Sequence, residues 1–280
     1  MSIKSRSIKI LTRIIKTGFA ARLAAWICCG LLRIFPVRRK IVSRNLEIVL
    51  PDKTPKERRR ILWKTYDHLV WMGVEFISLQ SNPKQVLEWV GAENGKILDD
   101  GCGGILLACH VGNWELAAAW VAQSGHRITA IVRESRDSGE RRLINDMREN
   151  VGVNCISKTA PMTRALGVLK RNEFLAIMPD QHGKGEGLPV PLFGLQTKTS
   201  QGPAVFAYLT KKPIIPVYIN RVAPFRHRLR FGEPLKWEYK GGRDETIIGI
   251  TEIINKEVER IILNTPGEWL AHHRRFREHY

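Results

Sequence analysis

Residues 105–115 of this chain read Ile-Leu-Leu-Ala-Cys-His-Val-Gly-Asn-Trp-Glu, and an alanine-rich segment follows them. The apolar run at 105–109 has the length and composition of a buried strand. A Gly-Asn pair then indicates a turn, and the residues after it favour a helix. This stretch predicts a strand–turn–helix unit, with His110 at the end of the strand and Glu115 in the first helical turn.

The same alternation of strand and helix patterns continues along the chain. Short apolar runs predict further strands at 128–132, 153–157, 174–178 and 214–219. Helical patterns fall between them, at 114–124, 140–150, 162–171 and 202–210. This alternation predicts an α/β fold with a mostly parallel central sheet flanked by helices.

Four other elements are predicted outside this alternation. Thr54 and Glu57 have the spacing of a capping box, which starts a helix that runs to about residue 79. The remaining three are a short helix at 85–90, an edge strand at 228–231 and a long closing helix at 244–264.

The charge of the chain is strongly basic and unevenly distributed. Its 280 residues carry a net charge of +18, and residues 1–40 contain ten basic side chains and no acidic one. A hydrophobic fraction of 44% is typical of a globular protein and excludes a disordered tail or a polytopic membrane protein. The excess positive charge predicts an anionic partner.

The basic N-terminal segment has the pattern of a membrane element. On a helical wheel Lys9, Arg13 and Lys16 share one side and isoleucines lie opposite, as in helices that lie in an anionic membrane interface. The uncharged run at 23–32 would rise about 15 Å as a helix, too little to span a bilayer. We therefore predict a helical membrane-associating arm at 1–40, peripheral or shallowly inserted, and a single domain at 41–280. The alternative is an ordinary helix with a solvated basic face.

His110 and Glu115 form an H-x4-E pattern at the end of a predicted strand, where parallel α/β sheets bind ligands. With a turn between them, Glu115 can reach back to one imidazole nitrogen and leave the other as a general base. Such a dyad suits deprotonation of a hydroxyl that attacks an acyl carbonyl. The alternative is a structural histidine, with Glu115 interacting with the helix dipole.

This motif resembles the H-x4-D/E signature of glycerolipid-type acyltransferases in its glutamate form. Over roughly residues 40–277 the chain more specifically resembles the lipid A biosynthesis late acyltransferases, the lauroyl and myristoyl transferases of Gram-negative envelopes. Further segments that carry this resemblance, in the family's order, are RNLE at 44–47, IVRE at 131–134, RENVG at 148–152, MPDQ at 178–181, PLFG at 191–194, PGEW at 266–269 and HRRF at 273–276.

The resemblance implies that a fatty acyl chain passes from acyl carrier protein to a hydroxyl of a phosphorylated lipid A precursor, at the cytoplasmic face of the inner membrane. It implies that His110 is the general base, that Glu115 orients it, and that Arg148 faces the developing oxyanion. The alternative for Arg148 is an ordinary exposed arginine. We expect no cofactor and no metal site, and the five cysteines, which show no CxxC spacing, favour a reducing compartment.

Five more residues are candidates for substrate binding. Arg133 is expected to hold a phosphate or the carrier's phosphopantetheine, or else to form a surface ion pair. Asp180 and Gln181 follow a predicted strand and are expected to support the site, bind sugar hydroxyls or cap a turn. Asn113 and Trp114 are expected to shape the turn and the entrance for the acyl chain.

Two rival functions follow from the same residues. One is an acyltransferase that acts on another glycolipid, such as a phosphatidylinositol mannoside, with acyl-CoA as donor. The other is a basic membrane- or nucleic-acid-binding protein. A nucleic-acid binder should present interleaved aromatic and basic residues or a recognition helix, whereas the basic arm here carries isoleucines. We therefore expect no nucleic-acid partner.

Overall fold

A computed structural model describes residues 18–79, 88–133 and 138–280 of the chain. The strands in these ranges are β1 (Glu88–Glu93), β2 (Gly104–Leu107), β3 (Ile128–Val132), β4 (Val153–Ser157), β5 (Phe174–Ile177), β6 (Gly187–Leu192), β7 (Leu195–Ser200), β8 (Ile214–Ala223) and β9 (Arg226–Phe231). The α-helices are α1 (Gly18–Ile34), α2 (Arg39–Val49), α3 (Pro55–Leu79), α4 (Trp114–Gln123), α5 (Ser138–Glu149), α6 (Met162–Lys170), α7 (Gly202–Thr210) and α8 (Arg243–Asn264).

Seven of the strands form one sheet in the order β1-β9-β8-β2-β5-β3-β4. Every neighbouring pair in this sheet is parallel except β8 and β9, which are antiparallel. The remaining two strands, β6 and β7, form a separate antiparallel hairpin. The predicted α/β fold with a mostly parallel central sheet is confirmed.

The sheet has a hydrophobic core on each face, because its central strands are buried on both sides. Side chains alternate along β2, so Ile105 and Leu107 join one core and Leu106 joins the other. The first core includes α2, α3, α6, α7 and α8, and the second includes α4. The parallel strands end at the same edge of this three-layer structure, and the polar residues that follow them lie at that edge.

Two predicted elements differ from the structure. The helix expected at 85–90 falls partly outside the described residues, and from Glu88 onward the chain forms strand β1. The strand expected at an edge is β9, which pairs with both β1 and β8 and is therefore interior. Exposed and buried side chains alternate along it, but backbone pairing on both edges of a strand does not depend on side-chain polarity.

The N-terminal region is helical from Gly18 onward. Helix α1 contains the uncharged run at 23–32 and packs Ala21 and Ala25 against Val74 of α3. The basic amphipathic segment at 9–16 lies outside the described residues, and the domain boundary at residue 40 stays a prediction. In the described part of the chain, no single helix is both long and apolar enough to cross a membrane, and the pair α1 and α2 that would be long enough together is bent by 90°.

Candidate active site

The site begins at the carboxyl ends of two neighbouring strands. Leu107 of β2 lies opposite Ile177 of β5 in the parallel register. His110 and Asp180 each follow these positions by three residues, so equal offsets from adjacent strands bring them side by side. Ligands of parallel α/β sheets bind at this edge.

Asp180 makes three hydrogen bonds, two with His110 and one with Trp269. Its Oδ1 lies 2.8 Å from Nδ1 of His110, and its Oδ2 accepts from the His110 backbone N–H and from the indole N–H of Trp269, both at 3.1 Å. Burial by itself raises the pKa of the Asp180 carboxyl, but the charge of His110 and these hydrogen bonds outweigh it, and the pKa is lowered. The carboxylate thus keeps the proton of His110 on Nδ1.

The other imidazole nitrogen, Nε2, faces away from Asp180 and is the one that can accept a proton. The side-chain amide nitrogen of Gln181 lies 3.3 Å from it, and the ring of Trp114 contacts the imidazole edge-on at 4.9 Å between centroids. His110 is 17% exposed, whereas Asp180 is 1% exposed. An accessible Nε2 with a lone pair and a buried carboxylate behind the ring is the geometry of a general base.

The structure corrects the expected partner of His110. Glu115 does not reach back to the imidazole, because its carboxylate forms a two-pronged ion pair with Arg148, at 2.9 Å to Nε and 2.6 Å to Nη2. Asp180, which had been expected to bind sugar hydroxyls, support the site or cap a turn, takes the orienting position. The position of Glu115 at the start of α4 directs its side chain toward α5 instead.

The side chain of Arg148 is half-buried where it meets Glu115. It is therefore not an ordinary exposed arginine. Burial alone lowers the pKa of its guanidinium, but the hydrogen bonds and the negative charge of Glu115 reverse the effect and the pKa is raised. Together Glu115 and Arg148 form a polar wall of an apolar pocket. A fixed, permanently charged donor group at that wall is suited to stabilise a developing oxyanion.

The apolar pocket lies between α4 and the sheet and has a cavity volume of about 50 Å³. Trp114, Glu115 and Arg148 are among the residues that line it. Small side chains along its walls leave room that larger ones would fill. These residues are Ala108, Ala117, Ala118, Ala130 and Ala176. The expectation that Trp114 shapes an apolar entrance agrees with its place beside both His110 and this pocket.

The turn between His110 and α4 is held in place by contacts with two other segments of the chain. Gly112 has a φ of +63°, and a Cβ there would lie 2.0 Å from the carbonyl oxygen of Ile219, so this position requires glycine. Its N–H donates to the Glu268 carbonyl at 3.1 Å, and Leu270 N–H donates to the His110 carbonyl at 2.8 Å. The backbone of the turn is thereby pinned to the segment that carries Trp269.

Asn113 supports the turn, as expected, and offers no exposed surface to a substrate. It is fully buried, and its amide nitrogen donates to Oε2 of Glu75 at 3.0 Å and to the Met72 carbonyl at 3.3 Å. Its side chain therefore faces α3 and holds the turn.

Glu75 is the centre of a buried ionic network behind the turn. Arg221 forms two hydrogen bonds of 2.7 Å with its carboxylate, and Nε2 of His227 lies 3.1 Å from it. Burial alone raises the pKa of Glu75, but the hydrogen bonds and charges of Arg221 and His227 lower it. The carboxylate is therefore ionised and compensated in the interior.

His68 connects this network to the backbone of the turn. Its Nε2 lies 3.1 Å from the Gly112 carbonyl and its Nδ1 lies 2.7 Å from Nη1 of Arg221. A carbonyl accepts and a guanidinium donates, so the ring carries its proton on Nε2 and is neutral. Burial and the charge of Arg221 lower the pKa of His68 to about 3, in agreement with a neutral ring.

Arg133 follows β3, next to β5 in the sheet, and its side chain is exposed. It lies close enough to His273 to affect that residue: burial lowers the pKa of His273 to about 4, and the positive charge of Arg133 acts in the same direction. Arg133 therefore stands at the same edge of the sheet as His110. Its expected role in holding a phosphate stays a prediction.

Four supporting residues were not predicted from the sequence: His68, Glu75, Arg221 and Glu268. One signal was present, because His68 and Glu75 are seven residues apart and lie on the same face of α3. Two titratable residues on a helix face that is otherwise apolar indicate a buried polar network. Trp269 belonged to a segment of the family resemblance, but its contact with Asp180 had no signal of its own.

The chain matches the family described as bacterial lipid A biosynthesis acyltransferase over residues 6–278. It belongs to this family. It is 26% identical to the lipid A biosynthesis lauroyltransferase of Escherichia coli K12 over 264 residues, which is 89% of this chain and 83% of that protein. The predicted family and the prediction of an O-acyltransferase are thus confirmed at the level of the family.

A second group of relatives has a different named acceptor. The chain is 27% identical to the phosphatidylinositol mannoside acyltransferase of Mycolicibacterium smegmatis over 125 residues. A similar match, at 25% identity over 122 residues, is found with the protein of the same name from Mycobacterium tuberculosis H37Rv. These alignments span 43% and 42% of this chain and 41% and 39% of the relatives, so the chain aligns with less than half of their length.

Proposed function

We propose that this protein transfers a fatty acyl chain from a thioester to a hydroxyl group of a lipid A precursor. The observation that carries the proposal is the His110–Asp180 pair beside an apolar pocket, in a chain of this family. The pair supplies a base with a defined tautomer, and the pocket supplies apolar walls for the start of a hydrocarbon chain.

In the first step Nε2 of His110 removes the proton from the acceptor hydroxyl while the hydroxyl oxygen attacks the thioester carbonyl carbon. The C=O π electrons move to oxygen and form a tetrahedral oxyanion. Asp180 stabilises the imidazolium that results, since its ionised carboxylate is already hydrogen-bonded to Nδ1. Arg148, held in place by Glu115, stabilises the oxyanion.

In the second step the oxyanion collapses and re-forms the carbonyl as the C–S bond breaks. The departing sulfur takes the proton from Nε2 of His110, which returns to the neutral state. The products are an ester and a thiol, and no covalent enzyme intermediate forms. Each proton removed from the acceptor is returned to the leaving group, so the reaction consumes no net acid or base.

The apolar pocket is the proposed site of the first part of the acyl chain, with Trp114 and the alanines along its walls. We propose acyl carrier protein as the donor's carrier, because the basic surface of the chain suits an acidic protein. The phosphatidylinositol mannoside relatives support a second candidate acceptor of that glycolipid type, with acyl-CoA as donor.

The proposal is tested by an acyl-transfer assay that combines two donors, acyl carrier protein and CoA thioesters, with a lipid A precursor and a phosphatidylinositol mannoside. We expect transfer to the lipid A precursor from the carrier protein and a loss of at least about 1,000-fold in kcat for His110→Ala. His126→Ala is the matched control, because His126 pairs with the exposed Asp99 away from the site. Wild-type activity of His110→Ala would contradict the mechanism.

We further propose that the protein attaches to the membrane surface through α1, on the cytoplasmic side of the inner membrane. Helix α1 turns its small residues toward α3 and its large apolar ones toward solvent, the reverse of a helix of a soluble domain. The side chains exposed in this way are Phe19 (79%), Leu23 (50%), Trp26 (70%), Ile27 (56%), Leu31 (53%) and Ile34 (68%). Arg22, which is exposed, lies at the N-terminal end of this helix and suits anionic lipid headgroups, whereas Arg33 is paired with Asp67 of α3 at 2.7 Å.

This attachment is tested by co-sedimentation with vesicles that contain anionic lipid. We expect Trp26→Glu with Ile27→Glu to reduce the bound fraction at least fivefold. The control Ile248→Glu with Leu263→Glu places the same charges on exposed apolar residues of α8 and should leave binding unchanged. Equal binding of the two double variants would contradict attachment through α1.

A further inference from the structure

A cleft lined by cationic and imidazole side chains lies beside the catalytic pair. Lys184, Arg274 and Arg277 line it together with His182 and His273, and its volume is about 250 Å³. Lys184 lies four residues after Asp180 on the same loop. His273 lies four residues after Trp269, the second partner of Asp180. Both walls of the cleft therefore extend from the segments that hold His110.

The two walls are joined by His182. Its Nδ1 accepts a hydrogen bond from the backbone N–H of Lys184 at 2.9 Å, and its Nε2 contacts the carboxylate of Glu278. Glu278 also accepts from the hydroxyl of Thr197 at 3.3 Å. The carboxylate of Glu278 is thus engaged below the cleft, and the loop of Lys184 is fixed relative to the C-terminal segment.

Arg275 explains why its neighbours point outward. It is fully buried and donates to Thr197 Oγ1, Thr199 Oγ1 and the Lys198 carbonyl at 2.6 to 3.0 Å. This anchor holds the backbone of the C-terminal segment against β7. Arg274 and Arg277 lie on the exposed side and line the cleft.

Within the described part of the chain, the three cations of the cleft lack a carboxylate partner of their own, since the nearby carboxylate of Glu278 is engaged by His182. Among the side chains that the structure describes, Lys184, Arg274 and Arg277 make no ion pair and no side-chain hydrogen bond, in contrast to Arg148 and Arg221. Like charges held together without an anion repel one another. A bound anion would remove this repulsion and satisfy their N–H groups.

We propose that this cleft binds a phosphomonoester group of the acceptor lipid and so orients the acceptor hydroxyl toward His110. A phosphomonoester carries close to two negative charges at neutral pH and matches three cations better than the single charge of a phosphodiester. Guanidinium groups also bind phosphate oxygens in pairs. The volume accommodates a phosphate with part of a sugar, while the fatty chain of the donor occupies the apolar pocket on α4. This proposal rests on the proposed function for its kinetic consequences.

The first test uses binding alone and does not depend on catalysis. Inorganic pyrophosphate is titrated into the full-length protein at low salt and followed by calorimetry. We expect Arg274→Gln with Arg277→Gln to weaken the affinity at least tenfold, and Lys184→Gln to weaken it several-fold from the opposite wall. The control Arg164→Gln with Arg228→Gln removes the same charge from exposed arginines elsewhere and should bind as wild type. Equal weakening in the control would overturn the proposal, since it would show a general charge effect.

The second test uses steady-state kinetics with the phosphorylated acceptor and with the same acceptor after removal of its phosphate. We expect the Arg274/Arg277 double variant to raise the KM for the phosphorylated acceptor at least tenfold and to leave the KM for the donor within twofold. With the dephosphorylated acceptor, wild type and variant should be equal. A rise in the donor KM instead would assign the cleft to the donor and overturn the proposal.

The two tests separate this inference from the proposed function. If pyrophosphate binds through the cleft but no donor supports acyl transfer, the proposed function fails and the anion site stands. If acyl transfer proceeds and the double variant has an unchanged acceptor KM, the phosphate site fails and the proposed function stands. Thermal unfolding of each variant checks that it is folded.

Discussion

Two arginine–glutamate pairs flank the turn between His110 and α4, and their surroundings give them different roles. Arg148–Glu115 and Arg221–Glu75 are both two-pronged, with N–O distances of 2.6 to 2.9 Å. The side chains of Arg148 and Glu115 are 17% and 12% exposed and line a pocket. Glu75 is fully enclosed.

The difference indicates that the surroundings of an ion pair decide its role, since a fully enclosed pair supports the fold and a pair that lines a pocket can contact a ligand. Asn113 and His227 contact the carboxylate of Glu75, and His68 contacts Arg221, so the inner pair holds the turn and faces no substrate. The outer pair keeps one side open to a ligand. Damage to the inner pair should therefore lower stability, and damage to the outer pair should lower activity.

The largest expected effect is on stability at the inner pair. Glu75→Ala leaves Arg221 charged and unpaired in the interior and should lower the free energy of unfolding by about 4 kcal/mol. Urea unfolding at pH 7 measures it, with Glu252→Ala, an exposed glutamate on α8, as the control. A loss below about 1 kcal/mol would mean that the inner pair is not a support.

The second effect is on catalysis at the outer pair. Arg148→Lys keeps the charge but loses the fork that binds Glu115, and should lower kcat about 100-fold while the unfolding temperature changes little. Arg142→Lys on the same helix is the control, because Arg142 is exposed. If the loss of kcat in Arg148→Lys is accompanied by a matching loss of stability, the outer pair is also a support and the two pairs do not differ in role.

The third effect is a pH dependence of stability that belongs to the inner network. His68 has a folded pKa of about 3 against 6.5 when unfolded, so the unfolded state binds a proton that the native state excludes. Stability from this residue is therefore present above pH 6.5 and lost as the pH falls toward 3. Between pH 7 and pH 5 the loss should be about 2 kcal/mol.

This pH effect is measured by urea unfolding of wild type and His68→Gln at both values. Glutamine keeps a donor and an acceptor but binds no proton, so the variant should lose about 2 kcal/mol less than wild type over the same interval. His126→Gln, at a more exposed histidine, serves as the comparison. Identical losses in wild type and His68→Gln would show that His68 is not held neutral.

The smallest expected effect distinguishes the roles of the two carboxylates near His110, those of Glu115 and Asp180. Glu115→Gln keeps an oxygen that accepts from Arg148 but removes its charge, and should lower kcat about tenfold with an unchanged apparent pKa in the pH profile of kcat. Asp180→Asn should change that profile, because Asp180 contacts Nδ1 of His110. A shifted profile in Glu115→Gln alone would restore Glu115 as the orienting residue.

Much of the fold could be predicted from local patterns. The predicted strands at 128–132 and 153–157 and the predicted helix at 202–210 agree with β3, β4 and α7 at both ends. Their apolar runs and helical periodicity are local properties of the chain. The β6–β7 hairpin was missed because its two prolines and polar residues lack a strand pattern.

The candidate site was predicted only in part. His110 and Asp180 were both placed after strands, but their contact depends on β2 and β5 being neighbours, although they are separated by two other strands in the chain. Spacing alone favoured Glu115, five residues from His110. The buried network around Glu75 joins α3, β8 and β9, segments up to about 150 residues apart, and no local pattern specifies such pairing.

By itself the sequence determined the strand–turn–helix unit at residues 105–115, the alternation of elements, the basic arm and the family of the chain. Only the tertiary structure decided which carboxylate holds His110, which residue holds Arg148 in the pocket wall and which cations remain unpaired. The physical reason is that secondary structure follows from the periodicity of neighbouring residues, whereas hydrogen-bond partners follow from strand order and register, which bring distant residues to the same sheet edge.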